Sequence, residues 1–165
     1  MIRFAKITPC LWFDHQAEEA ARFYIDAFGD GEIVAVSHYD PDTAAEVGRP
    51  PNSVLTVAFR VAGCDLTALN AGPRFAFTPA VSLQVLCEDQ DEIDRLWARL
   101  GEGGDPTAQR CGWLADRFGL SWQIVPVDML AVLGAGDPAT QGRVMAELMT
   151  MTKLDVARLR AAAQG

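Results

Sequence analysis

Ile7-Thr8-Pro9-Cys10-Leu11-Trp12-Phe13-Asp14 runs into Gln16-Ala17-Glu18-Glu19-Ala20-Ala21-Arg22-Phe23-Tyr24 and ends at Gly29. The first part is apolar and rich in β-formers, which predicts a strand over Ile7 to Phe13. Ala17, Ala20, Ala21, Tyr24 and Phe28 then recur at helical spacing. Asp14 is the expected N-cap, Glu18 and Glu19 suit the first turn, and Gly29 is the expected stop. The same order returns at residues 80–101. Ala80 to Cys87 predicts a strand. Asp89 or Asp91 caps a helix striped by Ile93, Leu96, Trp97 and Leu100, and Gly101, Gly103 and Gly104 stop it.

Between the two starts, Glu32 to Tyr39, Ser53 to Val61 and Asp65 to Leu69 predict strands. Asp40 to Asn52 carries Pro41, Gly48, Pro50 and Pro51 and predicts a mobile loop. Arg74 to Pro79 reads as an irregular crossing, with Phe75 and Phe77 at alternate positions. After the second helix, Arg110 to Leu114 and Leu120 to Val125 predict two strands around a turn at Asp116 to Gly119. The sum is two β-α-β-β-β units, about residues 4–72 and 79–127, the second with a poorly marked strand near Thr107. Each unit exposes a sheet face that it cannot bury alone. Residues 137–165 lie outside the repeat: Asp137-Pro138 and Asp155 start two helices, and Val144, Met145, Leu148, Met149 and Met151 give the first a broad apolar face. That tail is expected on the sheet or on a second subunit.

Composition narrows the classes. The chain has 165 residues, half of them hydrophobic, with 14 Lys plus Arg against 22 Asp plus Glu, a net charge of −8. This argues against nucleic acid or an anionic membrane as the main partner. No apolar run reaches the ~18–20 residues of a membrane span. Met1 to Lys6 shows no export signal, so Cys10, Cys64, Cys87 and Cys111 read as reduced thiols of a cytoplasmic protein.

Several stretches together carry a resemblance: the opening from Ile7 to Tyr24, Ala68-Leu69-Asn70-Ala71-Gly72-Pro73, Val81-Ser82, Cys87-Glu88-Asp89-Gln90, Cys111-Gly112-Trp113-Leu114, and Phe118-Gly119-Leu120-Ser121-Trp122-Gln123-Ile124-Val125-Pro126. The chain resembles the glyoxalase/bleomycin-resistance (vicinal oxygen chelate) superfamily. Within it, the chain looks like the PhnB-like branch, often labelled 3-demethylubiquinone-9 3-methyltransferase. The resemblance covers nearly everything except the Asp40–Pro51 loop. It implies an α+β fold of paired βαβββ modules, a cupped mixed sheet around one cavity, one such domain over 1–127, and usually a homodimer.

Metal enzymes of that superfamily hold a divalent ion with four inward His or Glu side chains. Carried over, those positions fall at Cys10, on the Asp65–Asn70 strand in a register the sequence leaves open, at Ser82 and at Gln123. Asp65 is the only acid on that strand and is expected to start it rather than face the cavity. A hard divalent ion needs anionic oxygen or imidazole, so no metal is expected. His15 and His38 lack partners at ligand spacing. A methyl-donor site would need a strand, a Gly-rich turn and a helix in that order. Gly101-Glu102-Gly103-Gly104 and Gly134-Ala135-Gly136 do not have it, so no cofactor is expected.

The expected function is metal-free binding of a small, partly aromatic molecule in a cavity lined by Cys10, Trp12, Asn70, Phe75, Phe77, Ser82, Trp113, Trp122 and Gln123. For each aromatic, a place in the core is the competing assignment. The alternative is an enzyme of the superfamily: a lyase, a dioxygenase or the labelled methyltransferase. A third is assembly through the Met-rich tail.

Overall fold

A computed structural model describes residues 5–129 and 136–165. The chain divides into two compact units, Met1–Ala76 and Phe77–Gly165.

The first unit contains β1 (Cys10–Phe13), α1 (Ala17–Phe28), β2 (Gly31–His38), α2 (Pro41–Glu46), β3 (Val54–Val61) and β4 (Cys64–Asn70). Its sheet has the order β1-β4-β3-β2, with β1 parallel to β4 and the other pairs antiparallel. Strand side chains alternate faces. Leu11, Phe13, Val57, Phe59, Val61, Leu66 and Ala68 are buried on one face. Alanines 17, 20, 21 and 27 are buried on α1 together with Phe23 and Tyr24, and Tyr24 stacks over Phe59 at 6.3 Å.

Two expectations need correction here. Asp14 does not cap α1. The Ncap residue is Gln16, without a side-chain bond, and the Ala17 N–H donates to Asn70 Oδ1 at 2.8 Å. The Asp40–Asn52 stretch is not all loop. Asp40 accepts from the Asp42 and Thr43 N–H groups and Pro41 occupies the first turn, so a short helix, α2, forms inside it. Arg49 then donates to the Asp14 backbone and carboxylate at 2.7 and 2.9 Å, tying the segment to the β1–α1 turn.

The second unit contains β5 (Ser82–Cys87), α3 (Gln90–Gly101), a 3-10 turn (Pro106–Ala108), β6 (Trp113–Ala115), β7 (Ser121–Pro126), α4 (Pro138–Leu148) and α5 (Val156–Gln164). The sheet order is β5-β7-β6, with β5 parallel and β6 antiparallel to β7. Asp89 caps α3, whose Ile93, Leu96 and Leu100 are fully buried. The strand expected near Thr107 is absent. Residues 102–112 are too few, and too rich in Gly and Pro, for a strand and its return, and Asp105 starts a 3-10 turn there. Arg110 makes only an isolated bridge to Trp113, so β6 begins three residues later than expected.

The tail packs on its own unit. Val125 of β7, Met129, Val144, Leu148, Met151, Leu154 and Leu159 form one buried cluster. Each such side chain removed from water contributes about 1.5–3 kcal/mol. The Cys111 and Gly112 N–H groups donate to Met151 O and Thr152 O at 2.9 and 2.8 Å. Gly112 has φ +83°, and a Cβ there would meet Leu154 Cδ1 at 3.0 Å and Ile124 O at 3.1 Å. Only glycine lets the tail come this close. Gln90 on α3 holds the tail from the other side, donating to Leu154 O and accepting from the Val156 N–H.

Candidate functional site

In the first unit Leu11 and Phe13 face α1, so Cys10 and Trp12 face away from it. Register places Thr67 beside Cys10 and Leu69 beside Trp12, and then Ala58 beside Thr67 and Thr56 beside Leu69. This face is open: Cys10 is exposed and Trp12, Thr67 and Leu69 are half-buried. Trp12 donates its indole N–H to Gly72 O at 2.8 Å. Phe75 meets the Trp12 ring edge-on at 4.9 Å and an interplanar angle of 76°.

Asp65 is the second residue of β4, at the start of the strand as expected, and alternation puts it on the Thr67 and Leu69 face. It accepts from Arg60 Nε at 2.8 Å and from the Ala5 N–H at 3.0 Å. The Ala5 bond first and the Arg60 bond second hold its carboxyl below the ordinary 3.8.

In the second unit Trp122 and Ile124 face α3, so Ser121, Gln123 and Val125 face the other way. Gln84 lies beside Gln123 on β5, and Trp113 lies beside it on β6. The Gln123 amide donates to Ser82 Oγ at 2.8 Å. Cys10 and Trp12 thus share one open face, and Ser82, Trp113 and Gln123 share another.

Two residues expected among them point elsewhere. Asn70 is buried on the α1 side. Its Oδ1 holds the Ala17 N–H and its Nδ2 donates to Val54 O at 3.1 Å. Trp122 is 2% exposed on the α3 side and donates to Asp116 Oδ2 at 2.8 Å. Phe77 is half-buried in the segment before β5. Thr67, Leu69 and Gln84 were missed, because the register of a parallel pair is not written in either strand.

The four strand positions of the metal enzymes can now be assigned. Ser82 pairs by register with Ser121, and Gln123 is two residues on. Cys10 pairs with Thr67, so the equivalent residue two further on is Leu69. The donor set is therefore a thiol, an alkyl chain, a hydroxyl and an amide. None is an anionic oxygen or an imidazole, and a divalent ion does not fit it. Among the described residues no three His, Cys, Asp or Glu side chains converge to hold a metal. His15 is exposed beside Asp14 at 3.3 Å, and His38 is exposed at the end of β2.

A methyl-donor cofactor fits no better. Among the described residues the short strand-to-helix turns are Asp14-His15-Gln16, Tyr39-Asp40 and Glu88-Asp89, without glycine. Gly104 follows a helix, and its bare α-carbon is used by close packing on Ala115 O. Gly134 and Ala135 lie outside the described residues.

The thiols differ. Cys87 is fully buried, and burial first and Glu92 second push its thiol up to about 12. Burial also raises Cys64, with help from Asp65.

The family profile described as 3-demethylubiquinone-9 3-methyltransferase matches residues 5–125. A search of curated proteins finds no significant match. Among solved structures, a PhnB protein from Bacillus cereus, which bears that methyltransferase name provisionally, is 34% identical. The match covers 74% of this chain and 99% of that one, with a TM-score of 0.62. Protein PA1353 from Pseudomonas aeruginosa is 22% identical over 74% of this chain and 98% of that one, at TM-score 0.55, and shares the fold. No helix among the described residues is long and apolar enough to cross a membrane. The chain belongs to the 3-demethylubiquinone-9 3-methyltransferase family, the PhnB-like branch of the vicinal oxygen chelate superfamily.

Proposed function

We propose that this protein binds a small, apolar or aromatic molecule on its open sheet faces, without a metal or a methyl-donor cofactor. The observation that carries the reading is the Ser82–Gln123 pair. It is a neutral hydroxyl and amide, bonded to each other, at positions that the resemblance matches to metal ligands, and Trp113 is the register neighbour of Gln123. Gln123 Oε1 and the Ser82 hydroxyl proton remain to orient a ligand, and the indole supplies flat apolar area. Cys10 and Trp12 offer a second such surface. The same reading takes the protein as a homodimer, which light scattering tests directly.

The experiment is a thermal-shift screen of a broad small-molecule library on metal-stripped protein, with native mass spectrometry of the fresh preparation. Compounds that raise the melting temperature in wild type, and less so in Gln123→Leu, support the reading. No shift with any compound removes it.

A further inference from the structure

We infer that the ligand taken at the Trp12 end of the first unit is a planar anion: an aromatic or conjugated ring carrying a carboxylate or similar oxyanion, with Arg74 selecting the charge. The inference rests on the small-molecule reading above and adds the class of ligand.

Three observations converge on one ledge. Phe75 is 58% exposed, although it packs edge-on against Trp12. A ring that served only to fill the core would be covered. The Arg74 guanidinium carbon lies 5.3 Å from the Phe75 ring centroid. Arg74 is exposed and has no carboxylate partner among the described residues, whereas Arg22, Arg49, Arg60, Arg99, Arg158 and Arg160 each hold one. In a chain with 22 acidic side chains against 14 basic ones, a guanidinium over the Phe75 ring and without a carboxylate has its charge available.

The ledge is also held in place. The Trp12 indole fixes Gly72 O, the Ala71 N–H donates to Phe13 O at 3.0 Å, and the Gly72 N–H donates to Asp14 O at 3.3 Å. Arg74 and Phe75 follow directly from that anchored turn. A planar ring can stack on Phe75 and Trp12, while a guanidinium fork donates two parallel bonds to a carboxylate. A neutral ring would use only the first half of the arrangement, and a simple anion only the second.

The test uses three probes: 2-naphthoate, its neutral counterpart 2-naphthamide, and cyclohexanecarboxylate, which has the charge without the flat ring. Binding is read from the Trp12 indole N–H resonance in 15N-labelled full-length protein, assigned by its loss in Trp12→Phe. The expected result is that naphthoate moves this resonance and binds about three- to fivefold more tightly than the amide, the scale of an exposed ion pair. Cyclohexanecarboxylate binds more weakly than naphthoate. Arg74→Gln brings naphthoate down to the affinity of the amide, and Phe75→Leu weakens both aromatic probes.

Equal affinity of naphthoate and amide in wild type overturns the inference, as does a preference that survives Arg74→Gln. If no probe moves the resonance while Phe75→Leu changes the sedimentation coefficient, the ledge is a contact between copies and the inference falls. Neutral hits alone in the thermal-shift screen leave small-molecule binding standing and remove the anionic class. No hits at all remove both.

Discussion

The Gln123 amide on β7 donates to Ser82 Oγ on the parallel strand β5 across 2.8 Å. Two neutral groups are thereby joined by one bond, at two positions where a metal enzyme of this fold would carry ligands. Protein dialysed against Zn2+, Ni2+ or Mn2+ should therefore retain substoichiometric metal by elemental analysis. Gln123→Glu should do the same, because Ser82, Leu69 and Cys10 still supply no anionic oxygen or imidazole. One tightly held ion per wild-type chain would refute the assignment of these positions.

Trp122 and Trp113 are expected to behave differently. Asp116 is 2% exposed and accepts from the Phe118 and Leu120 N–H groups as well as from Trp122. Trp122→Phe removes one donor from a buried carboxylate and should cost about 1–3 kcal/mol in urea unfolding. Half-buried Trp113→Phe should cost less than about 1 kcal/mol. The reverse order would place Trp122, not Trp113, at the open face.

Asn70 is a structural residue by its contacts, so its loss should appear in stability. Asn70→Ala strips the first N–H of α1 and the Val54 carbonyl of their partners, for about 2 kcal/mol. Asn70→Asp keeps an acceptor for Ala17 and should cost less. Unchanged stability with lost ligand binding would return Asn70 to the binding surface.

Asp94 links α3 to the tail through Lys153 Nζ at 2.6 Å, and accepts from Gln90 Nε2 of its own helix at 2.8 Å. The Lys153 bond first and the Gln90 bond second hold its carboxyl below the ordinary 3.8. A carboxyl lowered in the folded state contributes stability above its unfolded value and loses it as pH falls through the folded one. The melting temperature of Asp94→Asn should thus fall short of wild type at about pH 7, and the gap should close as pH drops below about 4. A gap independent of pH would mean that the carboxylate's charge is not what holds the tail.

Thiol labelling should separate the cysteines. Cys10 and Cys64 are exposed and should react first, with Cys87, buried and pushed up to about 12, reacting only on unfolding. Fast labelling of Cys87 in the native protein would show that β5 opens.

Much of this fold is written locally. The alanine spacing after Gln16, the stripe of Ile93, Leu96 and Leu100, and the capping residues Asp89, Asp137 and Asp155 each act within a few positions. The sequence therefore marks the helices and the restart of the repeat. It misjudges Asp14, because Arg49, 35 residues away, claims that carboxylate. It misses α2, because prolines read as breakers also start helices. It overestimates the second unit by one strand, because internal repetition does not guarantee equal loop length.

The sequence by itself determined the family, the two α+β repeats and the thiol, hydroxyl and amide at three of the four positions of a metal centre. Those properties depend on residue identity and near spacing. The tertiary structure decided which residues share a face. It turned Asn70 and Trp122 inward and put Leu69 at the position whose register the sequence left open. It set Trp113 beside Gln123, Phe75 on Trp12, and Arg74 over Phe75. The reason is physical. A one-residue change of register moves every side chain of a strand to the opposite face, and the partner that fixes the register of β1 lies 57 residues along the chain, where no local pattern can specify it.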